Sequence, residues 1–239
     1  MPGMDGLEAG DLLPSGRFRL RAPVPNAKGA FGQVFEGETV GGEPVRLAIK
    51  KITVSGAIQS LLSIYPNLPN PRQHLAREWR ASLLAVNHPN LCRSHAVEFT
   101  DGAGREADLA TCKHAFLVME WAGDALIDVV LQRGGLDETE AREYMWQIII
   151  GIMALHKDGY SHRDIKPENI TVRYLPVHPW LVLWRPVLRC SHIRTADAHV
   201  AALSLSLSLS LSRSLSLSPA ALLLSVCSCS RQRPSILWV

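Results

Sequence analysis

Residues 162–169 read His-Arg-Asp-Ile-Lys-Pro-Glu-Asn. One short loop therefore carries a carboxylate, Asp164, a cation, Lys166, and a carboxamide, Asn169. These are the residue types of proton transfer and of charge stabilisation. Far upstream, Lys50 closes the apolar run Leu47-Ala48-Ile49. A lysine among apolar residues on an inner strand needs a partner for its charge. Lys51 is next to it, but adjacent strand residues face opposite ways, so only one of the two points inward. By its neighbours alone, Glu78 reads as a surface glutamate between Arg77 and Arg80.

These segments, in this order, resemble the motifs of a protein kinase. Asn26-Ala-Lys-Gly-Ala-Phe-Gly-Gln-Val34 resembles the glycine-rich loop, with Ala27 at the first glycine of the pattern. A glycine-rich hairpin is also a common turn. The resemblance implies that Gly29 and Gly32 let backbone amides approach phosphates and that Phe31 caps them. Lys50 is then the third-strand lysine, paired with nucleotide phosphates and with Glu78. One extra residue separates Glu78 from His88 compared with most of the family. Phe116-Leu-Val-Met-Glu-Trp121 resembles the last strand and hinge. Met119 would be the gatekeeper, the backbone of Glu120 and Ala122 would hydrogen-bond adenine, and Val34 and Ala48 would lie above it. The same strand also reads as plain core.

The octet resembles the catalytic loop of the serine/threonine class. The resemblance implies that Asp164 accepts or orients the substrate hydroxyl proton. It implies that Lys166 neutralises the transferring phosphoryl and that Asn169 holds a magnesium ion. The helix pair and loop look most like the calcium/calmodulin-dependent and AMP-activated branch. The implied fold class is α+β. It is a two-lobed kinase fold, with a complete small lobe of five antiparallel strands plus one helix and an incomplete helical large lobe. The implied cofactors are ATP and Mg, and the implied partner is a protein substrate with Ser or Thr.

The resemblance covers about 18 to 172. In the family a strand and Asp-Phe-Gly follow within roughly 15 residues of the loop asparagine, and that aspartate holds the metal. No Asp-Phe-Gly follows here, and no Ala-Pro-Glu. Thr171 takes the adenine floor position, where an apolar residue is usual. A complete domain of this family needs roughly 250–300 residues, near the size at which single cores divide. The chain has 239 residues and reads as truncated after the catalytic loop. The expectation is weak ATP binding and little or no phosphotransfer. The alternatives are a non-catalytic pseudokinase or dominant-negative binding module, or a non-functional mis-spliced product.

The elements that position these motifs follow from the pattern. Residues 1–16 read as a flexible leader, 17–122 as small lobe and hinge, 123–172 as partial large lobe and 173–239 as a low-complexity tail. Alternation from Phe18 and through Val45, Leu47 and Ile49 marks strands, with Gly41-Gly42 as a turn. Residues 53–70 read as a long connection. A helix starts at Asn70-Pro71 and stops before His88-Pro89. Strands are expected near 91–99 and 114–121, and a short helix over 124–132. Asp137 and Glu140 form a capping box for a long helix that ends at Gly159. That helix is apolar on nearly all sides and expects burial all round.

The tail alternates Leu and Ser over 203–218, broken at Arg213. A repeated C and T dinucleotide encodes Leu-Ser in every frame, so residues from about 173 read as translated intron or as disordered. The rival is an amphipathic strand of period two.

Bulk properties exclude other classes. Net charge is +3 and the pI about 8.7, too mild to imply nucleic acid. The start is acidic and unlike a signal peptide, and no apolar run is long enough to span a membrane. Five cysteines without a secretory leader suit reduced thiols in the cytoplasm. His88, Cys92, His95, Cys112 and His114 match no common zinc spacing. Oligomeric state is not legible.

Overall fold

A computed structural model describes residues 7–29, 32–84, 87–162, 165–174, 179–183 and 188–189. They form two compact units. The first holds residues up to 84 together with 93–121, and the second holds 85–92 and the chain from 122.

The first unit is built on a five-stranded antiparallel sheet. Its strands are β1 (Phe18–Gly29), β2 (Gly32–Thr39), β3 (Arg46–Thr53), β4 (Ser94–Thr100) and β5 (His114–Glu120), in spatial order β1-β2-β3-β5-β4. The expected long connection after β3 is instead partly helical. α1 (Val54–Ile64) buries Val54, Ala57 and Leu61 at helical spacing, so tertiary packing stabilises the helix. Next comes α2 (Pro71–Leu84). Pro71 sits at its first position, where the missing amide costs nothing. Asn70 before it has a φ of +49°, a left-handed conformation that asparagine tolerates.

The register sorts side chains between the two sheet faces. Directly paired residues share a face and alternate residues return to it. One face carries the rows Gly32–Ile52–Ala115–Phe99, Val34–Lys50–Leu117–Val97 and Glu36–Ala48–Met119. α2 covers this face, where Trp79 meets Phe99 with ring centroids 6.0 Å apart. The other face carries Leu47, Ile49, Phe116, Val118 and Ala96, packed with Leu13, Phe18 and Leu20.

That second core corrects the expected flexible leader over residues 7–16. Leu13 is 1% exposed. The Gly10 amide donates to Leu20 O and the Leu20 amide to Asp11 O, each at 2.9 Å. The Ser15 amide and hydroxyl both donate to the Glu98 carboxylate on β4. The segment is held because it closes an apolar sheet face that would otherwise meet water.

The second unit contains β6 (Asp124–Ala125), α3 (Leu126–Arg133), α4 (Glu138–Lys157) and β7 (Tyr160–Ser161). A 3₁₀ turn (Pro167–Asn169) follows, then β8 (Ile170–Tyr174), β9 (Pro179–Leu183) and β10 (Leu188–Arg189). α3 ends at Gly134, whose φ of +74° places it in the left-handed region. Asp137 caps α4 by accepting the Glu140 amide at 2.8 Å. Glu140's own carboxylate accepts from Arg133 and from the Tyr144 hydroxyl. One flank of α4 buries Tyr144, Met145, Ile148 and Leu155 in the core of this unit. Burial all round does not hold, for Trp146 and Met153 are more than half exposed.

A second correction concerns the boundary at 172. β9 pairs with β8 from Ile170↔Leu183 to Tyr174↔Pro179, and Leu181, Val182 and Leu183 are fully buried. The unit's core therefore extends at least to Leu183. Residues 191–239, including the Leu-Ser repeat, lie outside the described residues. Among the described residues no helix is long and apolar enough to cross a membrane.

Candidate functional site

In the first unit, the β2–β3–β5 register brings predicted residues from three separate stretches onto one surface. Val34 lies opposite Lys50, and Lys50 opposite Leu117. Two residues along, Ala48 lies opposite Met119. Ala48 and Met119 are 4% and 3% exposed, so they form an apolar floor beside the lysine. Lys51 points the other way, where its Nζ donates to Leu7 O at 3.0 Å. Lys50 and Lys51 therefore stand on opposite faces of the sheet, Lys50 on the face of Val34, Ala48 and Met119.

At the tip of this sheet Gly29 pairs with Gly32. Ala27 is half-buried within β1. Phe31 falls outside the described residues. Gly32 has a structural demand of its own. A Cβ there would stand 2.2 Å from Lys51 O, so β2 and β3 could not keep their spacing with a larger residue. The glycine is needed whether or not phosphate is bound.

Glu78 is not a surface glutamate. It is 6% exposed and sits on the helix that covers the Lys50 face. His74, one turn earlier, brings Nε2 within 2.9 Å of Glu78 Oε1. The sequence reading missed His74, although its i,i+4 spacing from Glu78 is a usable signal.

The first unit ends at Trp121, and Arg46 stacks over its ring at 3.9 Å. Glu120 is braced twice. Its amide donates to Arg93 O, and its carboxylate accepts the Arg93 amide, both at 2.9 Å. Nearby, burial and the Arg93 charge lower the pKa of His95, with Glu120 opposing. Ala122, the other expected adenine contact, begins the second unit and is buried.

The second unit holds the described residues of the segment expected to form the catalytic loop. Ile170 and Val172 anchor β8 in its core, and the turn just before is closed by the Asn169 amide donating to Lys166 O at 2.9 Å. Lys166 and Asn169 are partly buried and His162 is 2% exposed. Asp164 lies outside the described residues. Thr171, the expected adenine floor, donates its hydroxyl to Val182 O at 3.2 Å, which ties up its polar group.

A clamp that sequence reasoning missed holds β9. Asn90 Nδ2 donates to Leu181 O at 2.8 Å, and the Leu183 amide donates to Asn90 O at 2.9 Å. Gln147 Oε1 on α4 accepts the Leu181 amide at 2.7 Å. The strand after the catalytic loop is thus built into this unit. The sequence continues as Trp184-Arg185-Pro186.

Asn169, the expected magnesium ligand, is followed by no Asp-Phe-Gly in the sequence. Among the described residues no group of three His, Cys, Asp or Glu could hold a metal ion.

The family model described as "Protein kinase domain" matches residues 27–176. CBL-interacting protein kinase 8 of Oryza sativa subsp. japonica is 32% identical over 163 residues, covering 67% of this chain and 31% of that protein. CBL-interacting serine/threonine-protein kinase 7 of Arabidopsis thaliana is 32% identical over 143 residues, or 59% of this chain and 28% of that protein. The maternal embryonic leucine zipper kinase of Xenopus laevis is 30% identical over 138 residues, or 56% and 19%. The chain spans less than a third of the length of each of these relatives. With more than half of its residues matched by the family model, and with serine/threonine kinases among its relatives, the chain belongs to the protein kinase family.

Proposed function

We propose that the first unit binds ATP and that the chain derives from a serine/threonine kinase, whose chemistry moves the γ-phosphoryl of MgATP to a protein hydroxyl. One observation carries the reading: the sheet register puts Val34, Ala48, Lys50 and Met119 on a single face. Around Lys50 the part of the face made by Val34, Ala48, Leu117 and Met119 is apolar, which suits an adenine ring continued by phosphates. Bound ATP would supply the transferable phosphoryl group. Lys50 would hold phosphate oxygens, Val34 and Ala48 would pack on the ring, and the Glu120 carbonyl and Ala122 main chain would select adenine. Asp164 and Lys166 would serve the receiving hydroxyl and the moving phosphoryl.

The family's metal pair does not fit this chain, because Asn169 is not followed by Asp-Phe-Gly. Phosphotransfer by this polypeptide is therefore impaired. The same observation favours a second reading, a non-catalytic module that retains the nucleotide site. A cytoplasmic location belongs to the proposal, since Cys92 and Cys112 are buried free thiols.

The test is calorimetric titration of the whole chain with ATP, alongside a phosphotransfer assay on a Ser/Thr protein acceptor. The expected result is weak binding lost in Lys50→Met and retained in Lys51→Met, with transfer at background. Absence of binding overturns the nucleotide reading. Robust transfer that disappears in Asp164→Asn overturns the impairment.

A further inference from the structure

The residues ahead of β1 turn back on it as a hairpin. The Gly10 amide donates to Leu20 O and the Leu13 amide to Phe18 O, each at 2.9 Å, and Leu12 bridges Arg19 antiparallel. The chain reverses through Pro14, Ser15 and Gly16, with Gly16 in the left-handed region at a φ of +70°. Ser15 and Gly16 are exposed, yet Ser15 ties the turn to β4. Its hydroxyl donates to Glu98 Oε1 at 2.5 Å and its amide to Oε2 at 3.0 Å. Beside this contact lies the apolar face of Leu47, Ile49, Phe116 and Val118, which Leu13 and Phe18 cover.

An exposed hydroxyl bonded to a carboxylate is sensitive to charge. A phosphoryl group in place of its hydrogen removes the donor and sets a charge of about −1.5 to −2 against Glu98. The arginines that follow are engaged elsewhere. Arg17 lies over the Phe18 ring at 5.0 Å, and Arg19 and Arg21 pair with Glu38. Repulsion by Glu98 is therefore the first effect of the new charge.

We propose that Ser15 is a phosphorylation site and that phosphate there shifts the hairpin of residues 7–16 away from the sheet face it covers. The donor is ATP, and the transferring enzyme is a separate serine kinase acting in trans. The Ser15 oxygen bonds to the γ-phosphorus as the bridging bond to the β-phosphate breaks. ADP leaves with the electron pair, and the hydroxyl proton passes to a base of that enzyme. Nothing in this depends on nucleotide at the Lys50 face.

The test uses the whole chain with genetically encoded phosphoserine at position 15, beside wild type, Ser15→Ala, Ser15→Asp and Ser15→Asp/Glu98→Lys. Tryptic cleavage at Arg17 reads the opened population, because cutting tracks opening when closing is fast. One unit of like charge at contact distance in water shifts such an equilibrium about fivefold. Ser15→Asp should therefore be cut about fivefold faster than Ser15→Ala, and the phosphoserine chain faster still. Ser15→Asp/Glu98→Lys should return to the wild-type rate, because the two charges then attract. Fluorescence of anilinonaphthalene sulfonate should rise with the cleavage rate as apolar surface is uncovered. Equal cleavage of the alanine, aspartate and phosphoserine chains overturns the switch. So does a double variant cut as fast as Ser15→Asp, which marks damage to the turn and not an effect of charge. Wild-type chain expressed in eukaryotic cells should carry phosphate at Ser15 by mass spectrometry, and its absence there overturns the modification.

Discussion

Asn90 donates its side-chain amide to the Leu181 carbonyl across 91 positions of sequence, at 2.8 Å in a buried setting. The loop before β4 thereby holds β9. Asn90 is 3% exposed and Leu181 fully buried. Asn90→Ala would leave the carbonyl without this donor and should cost about 1–3 kcal/mol. Urea unfolding of wild type and variant measures it. Equal midpoints would mean that the contact is incidental.

The residues before β1 should behave as core. Leu13 is packed with Phe18, Leu20, Phe116 and Val118. Leu13→Ala should destabilise the chain by about 2–5 kcal/mol, the usual cost of emptying an aliphatic site. Limited proteolysis gives a second readout. Wild type should resist cleavage at Arg17, and the variant should be cut there early.

Gly32→Ala tests the two demands on one glycine. The added methyl would meet Lys51 O at 2.2 Å, so the β2–β3 pair must shift. The expected loss is about 1–3 kcal/mol in the absence of any nucleotide. Denaturation of the nucleotide-free chain decides it, and unchanged stability would show that the strand pair gives way easily.

Stability should fall as the solution is acidified. Burial lowers the pKa of His156 from 6.5, and burial with the Arg93 charge lowers that of His95. Below 6.5 the unfolded chain takes up protons that the folded chain still refuses. In this window the unfolded state binds more protons, so stability rises with pH. The contribution is complete above the unfolded value and is lost as pH drops toward the folded one. Urea midpoints should be lower at about pH 5.5 than at about pH 7.5, and His156→Gln should narrow the difference. A midpoint unaffected by pH in this range would contradict the assignment.

Much of this molecule was legible from local pattern. Strand alternation separated Lys50 from Lys51, because neighbouring side chains in a strand must face opposite ways. Asp137 announced the start of α4, because its oxygen satisfies an amide that the helix itself cannot. The helical spacing of Tyr144, Met145, Ile148 and Leu155 marked α4 as a helix, though not which of its apolar faces would stay exposed. Each of these depends on residues a few positions apart.

Tertiary structure decided what local pattern could not. Local pattern left Glu78 open between a surface residue flanked by Arg77 and Arg80 and the partner of Lys50 that the family resemblance implies, and its burial comes from packing of α2, not from its neighbours in sequence. Residues 7–16 are polar and glycine-rich enough to read as a leader, yet Leu13 closes the outer sheet face together with strands that lie far along the chain. β9 follows a change in composition that reads as a boundary, yet Asn90 and Gln147 supply partners for its backbone. The physical reason is common to all three. Burial is a property of surfaces brought together by long-range contacts, and a window of neighbouring residues records what each can bury, not what will be there to cover it.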